Sequence, residues 1–321
     1  MVRRMNSKGI AHGIALICGL AFVLGTSAHA EASSRIVFAH DGHLNFVSPT
    51  GRELGQIKQF GGPIALSASD NGRYIAVLPR GEFDEFEDEV NEGVFYSAFV
   101  HAAGEVKPRR VEVGFGAKEI GGAPSLAPSL AISPDGHLLA FSGGLTIRII
   151  NLDTGRRWTL RNPRGAYFQA SFSSDGRHLV FGHSNTTCRA LKCEDIFMMA
   201  LNGSSRHRLT NDPEEELFPV TSPDGKWLAF LRRTPQAFEL VTRRVGSNQE
   251  RVIRQVHCLL SRPDFSPDGK RIVYAWSKSR ECAFQRMTVF TAGIDGRGTH
   301  AVAKDILGGQ LLPQWTRRPS R

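Results

Sequence analysis

Five short apolar runs punctuate the chain: YIAVL at 74–78, LLAFS at 138–142, HLVFG at 178–182, WLAFL at 227–231 and RIVYA at 271–275. Each follows a polar turn: SDNG at 69–72, SPDG at 133–136, SSDG at 173–176, SPDG at 222–225 and SPDG at 266–269. A short continuous apolar run bounded by turn residues is the pattern of a strand buried on both faces. In the turns, Pro presets φ at the second position, Asp or Asn can bond the local backbone, and Gly takes the positive φ that closes a hairpin. Turn chemistry therefore accounts for Asp135, Asp175, Asp224 and Asp268 without a metal. A sixth run, RIVFA at 35–39, has no turn before it.

Farther along each unit comes a second turn with glycine: Gly51, Gly104, Gly155, Gly203, Gly246 and Gly296, spaced 43 to 53 residues apart. Each unit reads strand A, Asp-Gly turn, strand B, variable loop, strand C, Gly turn, strand D. Four-strand repeats of this length are propeller blades. The first unit lacks strand A, and its match stands at the other end of the chain: PQWT at 313–316 aligns with PDFS at 263–266. The expected fold is all-β, a six-bladed β-propeller over residues 31–321, closed by pairing the C-terminal strand with the N-terminal strands. Closure removes the open edges that a line of sheets would expose.

The segments LTNDPEEELFPVTSPDGKWLAFLR (209–232) and RPDFSPDGKRIVYAW (262–276) resemble the WD-like propeller repeats of the TolB family of bacterial periplasmic proteins. The resemblance covers nearly all of residues 31–321, is specific in the last three units and is weaker in the second, where the turn is SDNG and a long insertion follows. TolB proteins also carry an α/β domain before the propeller. The first propeller strand here begins at Arg35, so that domain's role is not carried over. The resemblance implies an exported binding module.

Residues 1–30 read as a cleavable signal peptide. Arg3, Arg4 and Lys8 precede the apolar run IALICGLAFVLG, and SAHA ends at Ala30. Cleavage takes the net charge from +9 to +6. The arginine pairs 109–110, 156–157, 243–244 and 317–318 are spread along the sequence and read as solvated surface, and an exported chain rarely meets nucleic acid. No stable membrane insertion is expected after cleavage. Of the cysteines that remain, Cys188 with Cys193 and Cys258 with Cys282 are expected to form disulfides, since the compartment is oxidising and the hairpin between Cys258 and Cys282 returns its flanks to one place.

The A–B and C–D turns fall on one face, and the B–C loops and inter-blade links on the other, where function gathers on a rigid scaffold. There the insertion RGEFDEFEDEVNEG at 80–93 is expected as an acidic B–C loop, with Phe83, Asp84, Glu85, Phe86, Glu87, Asp88 and Glu89 as the candidate partner contact. A calcium loop needs a ligand spacing that this run lacks. Glu215, Glu216 and His257 are read as surface polar residues near the channel, and His40 and His183 fall in matching columns of opposite blades. No nucleophile elbow of the GxSxG kind occurs. Neither a cofactor nor a metal site nor catalysis is expected. The expected function is a protein-binding or scaffolding module of the cell envelope, with an envelope protein as partner. The alternative is a propeller enzyme acting on a polysaccharide or peptide at the channel mouth, which would need converging carboxylates.

Overall fold

The structure, a computed structural model, describes residues 34–317 except 41–42, 59–62, 80–82, 89–90, 106, 118–127, 144, 162–164, 186–193, 259–260, 278–285 and 308–310. Residues 1–30, with the expected signal peptide, and Cys188, Cys193, Cys282 and Glu89 lie outside the described residues. The described residues form strands and turns, with no helix.

The strands group into six sheets. Blade 1 contains β1 (Ser34–His40), β2 (His43–Val47) and β3 (Glu53–Lys58). Blade 2 contains β4 (Pro63–Ala68), β5 (Tyr74–Pro79), β6 (Phe83–Asp88), β7 (Asn91–Ala102) and β8 (Arg109–Ala117). Blade 3 is β9 (Ser129–Ile132), β10 (Leu138–Ser142), β11 (Thr146–Asn151) and β12 (Arg157–Arg161). Blade 4 is β13 (Gly165–Phe172), β14 (His178–Asn185), β15 (Glu194–Ala200) and β16 (His207–Arg208). Blade 5 is β17 (Glu215–Thr221), β18 (Trp227–Arg233), β19 (Phe238–Arg244) and β20 (Glu250–Val256). Blade 6 is β21 (Asp264–Phe265), β22 (Arg271–Trp276), β23 (Arg286–Gly293) and β24 (His300–Leu307). The last strand, β25 (Gln314–Arg317), returns to blade 1, where Trp315 stands opposite Ile36 of β1.

The B strands are apolar throughout because each face meets a different neighbour. On β1, Ile36 and Phe38 pack with blade 6, while Val37 and Ala39 pack with blade 2. On β18, Ala229 and Leu231 face blade 6, while Leu228 and Phe230 face blade 4. Six such clusters, one between each pair of neighbouring blades, make up the core.

The hairpin turns repeat one hydrogen-bond pattern. In blade 5, Gly225 N donates to Ser222 O at 2.8 Å, while Asp224 Oδ1 accepts from Ser222 Oγ at 2.6 Å and from Lys226 N at 3.1 Å. Gly225 adopts φ +70°, the left-handed conformation that glycine takes at least cost. In blade 2 the amide oxygen of Asn71 takes the aspartate's place, accepting from Ser69 Oγ at 2.8 Å and from Arg73 N at 2.9 Å. That substitution is why SDNG builds the same turn as SPDG.

Candidate functional site

The stretch 80–93, expected as a loop, carries a strand. β6 pairs antiparallel with β7 from Phe83↔Tyr96 to Asp88↔Asn91. β5 lies on the same flank of β7, from Tyr74↔Ala102 to Val77↔Phe99, and β8 runs along the other flank. β5 and β6 thus pair successive parts of the same flank of β7, with residues 80–82 between them outside the described residues. The physical reason is the length of β7: its twelve residues exceed what β5 can pair, and the surplus recruits the acidic segment. The side chains of residues 83–88 lie outside the described residues.

The innermost strands surround the axis. Arg262, just ahead of β21, sends Nη1 to the carbonyl oxygen of Leu130 on β9, 3.0 Å away. Blades 6 and 3 are opposite in the ring, so this guanidinium spans the channel. Asp264 Oδ2 accepts from the backbone N–H of Trp315 at 2.7 Å. Burial, reinforced by the charge of Asp70, pushes the Asp264 carboxyl up to about 7. Burial likewise raises Asp70 to about 6 against the pull of Arg317.

Glu215 and Glu216, read from sequence as surface residues, are 3% and 0% exposed. In the β17–β18 register they stand opposite Arg233 and Arg232. Arg233 Nη1 lies 3.1 Å from Glu215 Oε2. Arg232 Nη2 lies 2.6 Å from Glu250, 3.1 Å from Asp212 and 3.8 Å from Glu216. Arg243 joins the same group, 3.3 Å from Glu250 and 3.6 Å from Asp212. Burial drives the Glu216 carboxyl up to about 8, so it holds a proton at neutral pH. The signal was present in the sequence: EE at 215–216 and RR at 232–233 are mirror positions about the Ser-Pro-Asp-Gly turn. His257 is exposed, as expected, and its Nδ1 donates to the Gln236 carbonyl at 3.2 Å.

His183 is buried, and its Nε2 accepts from Arg206 Nη2 at 2.8 Å. Burial and the Arg206 charge depress it to about 4, so the imidazole is neutral. His40 lines a cleft of about 690 Å³ between blades 1 and 6, walled by Phe38, Phe46, Val302 and Ile306, with Lys304 among its polar groups. These two histidines stand in blades 1 and 4 and form no common site. Cys258 is buried and disulfide-bonded.

Comparison with known proteins follows the fold. The PD40 family model, TolB beta propeller domain, matches residues 92–317. The uncharacterized protein Atu1656 of Agrobacterium fabrum strain C58 is 26% identical over 237 residues, covering 70% of this chain and 75% of that protein. The crystal structure of TolB from Acinetobacter baumannii superposes with a TM-score of 0.67 at 17% identity, over 89% of this chain and 68% of that one. A protein assigned as TolB from Agrobacterium tumefaciens gives 0.59 at 18% identity, over 90% and 99%. At these identities the structural likenesses speak to the fold.

Proposed function

Because the chain belongs to the TolB β-propeller domain family, we propose that it is an exported, non-catalytic propeller serving the bacterial cell envelope as a protein-binding or scaffolding module. The observation that carries this reading is the β6–β7 pairing, which makes the acidic, phenylalanine-bearing segment a strand beside the first half of β7. Residues 1–30 act as the export signal and are removed. Cys188–Cys193 and Cys258–Cys282 stiffen two further loops of the B–C face, and the bonded state of Cys258 supports the second pairing. An envelope protein with basic and apolar contacts docks against Phe83, Asp84, Glu85, Phe86, Glu87, Asp88 and Glu89.

A photo-crosslinking residue at Glu85, compared with one at Asp135 in an A–B turn, tests the reading in cells. A discrete protein adduct from position 85 and none from position 135 is the expected result. An adduct from position 135 alone would place the partner on the other face.

A further inference from the structure

The outer strands of blade 3 gather arginines that are spread along the sequence. β11 reads TIRIIN and β12 reads RWTLR. Arg148 of β11 stands opposite Thr159 of β12. Residues two apart on a strand share a face, so Arg157 and Arg161 flank Thr159 on the face of Arg148. That face is turned to blade 2, because Ile150, two residues from Arg148, packs in the core between blades 2 and 3. The pair 156–157, read from sequence as solvated surface, thus contributes one member to a cluster.

Arg148 is half-buried against β8. A Cβ built on Gly114 would stand 2.3 Å from Arg148 Nη1 and 2.6 Å from its Cζ. The guanidinium therefore occupies the space that a side chain at 114 would fill. Gly114 also has φ +119°, beside the bulge at Tyr96–Ser97 in the β7–β8 pairing.

Among the described residues, the charges that act on Arg148 are those of Arg157 and Arg161. Among the described residues no carboxylate pairs with Arg148. Burial first, then the charges of Arg157 and Arg161, push its pKa below the usual arginine value. Arg157 has an acid beside it: Glu112 Oε2 lies 3.7 Å from its Nη1, with both side chains largely exposed. An exposed pair of that kind contributes little. Elsewhere several arginines have anions: Arg208 pairs with Asp195, Arg73 with Asp153, and Arg232 with Asp212, Glu239 and Glu250.

Three guanidinium groups against one exposed carboxylate, Glu112, leave an excess of positive charge, which matches an oxyanion that several planar forks can grip at once. We propose that Arg148, Arg157 and Arg161 form a binding site for a phosphate-type oxyanion on the outer strands of blade 3, on the face turned to blade 2. Its ligand is either a soluble phosphate ester or the headgroup phosphate of an anionic lipid.

The test uses the full chain with inorganic phosphate, against sodium chloride at equal ionic strength, and with phosphatidylglycerol or phosphatidylcholine vesicles. Phosphate should raise the melting temperature of the wild type, and Arg148→Gln should weaken that response by at least about tenfold, the scale of one charge-assisted hydrogen bond. Arg161 is exposed, so Arg161→Gln keeps the fold and should weaken phosphate binding in the same direction. Without phosphate, Arg148→Gln should melt no lower than the wild type, because it relieves repulsion. Retention on phosphatidylglycerol vesicles, lost in Arg148→Gln and competed by phosphate, assigns the lipid headgroup. Phosphate binding without vesicle retention assigns the soluble ester. A phosphate response equal in wild type and both variants, or none beyond the chloride control, would overturn the proposal.

Discussion

Glu216 shows how one residue couples the fold to pH. It is fully buried beside Arg232, yet burial outweighs that attraction and lifts its carboxyl from 4.5 to about 8. Its pKa is higher folded than unfolded, so the folded state holds the proton more tightly. The stability this contributes is fully present below about pH 4.5 and is lost as pH rises through about 8. Glu216→Gln mimics the protonated acid and leaves Arg232 its other carboxylates. Denaturant titrations from pH 5 to 9 should show wild-type stability falling by on the order of a few kcal/mol, and a flatter curve for the variant. Equal slopes would mean that Glu216 is ionised throughout. From sequence alone, three consecutive glutamates at 214–216 look like solvated surface. The burial of Glu215 and Glu216 follows from register with arginines beyond a turn, a relation that composition does not carry.

At the scale of elements, the repeated turn was legible because its chemistry is local: serine, acceptor and glycine lie within four residues. The acceptor at the third position has a measurable role. Asp224→Ala removes the bonds from Ser222 Oγ and Lys226 N. The expected loss is about 1–2 kcal/mol, read from the midpoint of urea unfolding. Asp224→Asn should be nearly neutral, since Asn71 already fills this role in blade 2. If alanine and asparagine behave alike, the side chain does not hold the turn. The hairpin of blade 2 was not legible in the same way. FDEFED has no two-residue alternation of apolar and polar positions, and nothing local marks it as a strand. It becomes one because β7 runs past the end of β5 and offers backbone groups that need partners. The acidic insertion could therefore be found in the sequence, while its strand conformation depended on a neighbour.

For the whole molecule, the decisive contact is made by the last strand. β25 pairs with β1, and it also reaches both adjoining blades. Trp315 N donates to Asp264 of blade 6, while Thr316 Oγ1 donates to Ser69 O of blade 2 at 2.8 Å. Trp315 is 3% exposed and packs with Ile36, Val273 and Val289. Deleting residues 313–321 removes these contacts together. In an open array the loss would fray one end and leave distant repeats nearly unchanged, because repeat stability is roughly local. In this arrangement it opens the seam between blades 6 and 1, strips a large aromatic from the core at a cost of about 3–5 kcal/mol, and takes the Trp315 N–H away from the Asp264 carboxylate. A domain has only about 5–15 kcal/mol to lose. The truncated chain should melt well below the full one, and amide exchange should rise at residues 36–39 as well as beside the cut. Unchanged protection at 36–39 with an unchanged melting temperature would mean that β1 does not depend on β25, and that the six blades hold together without this strand.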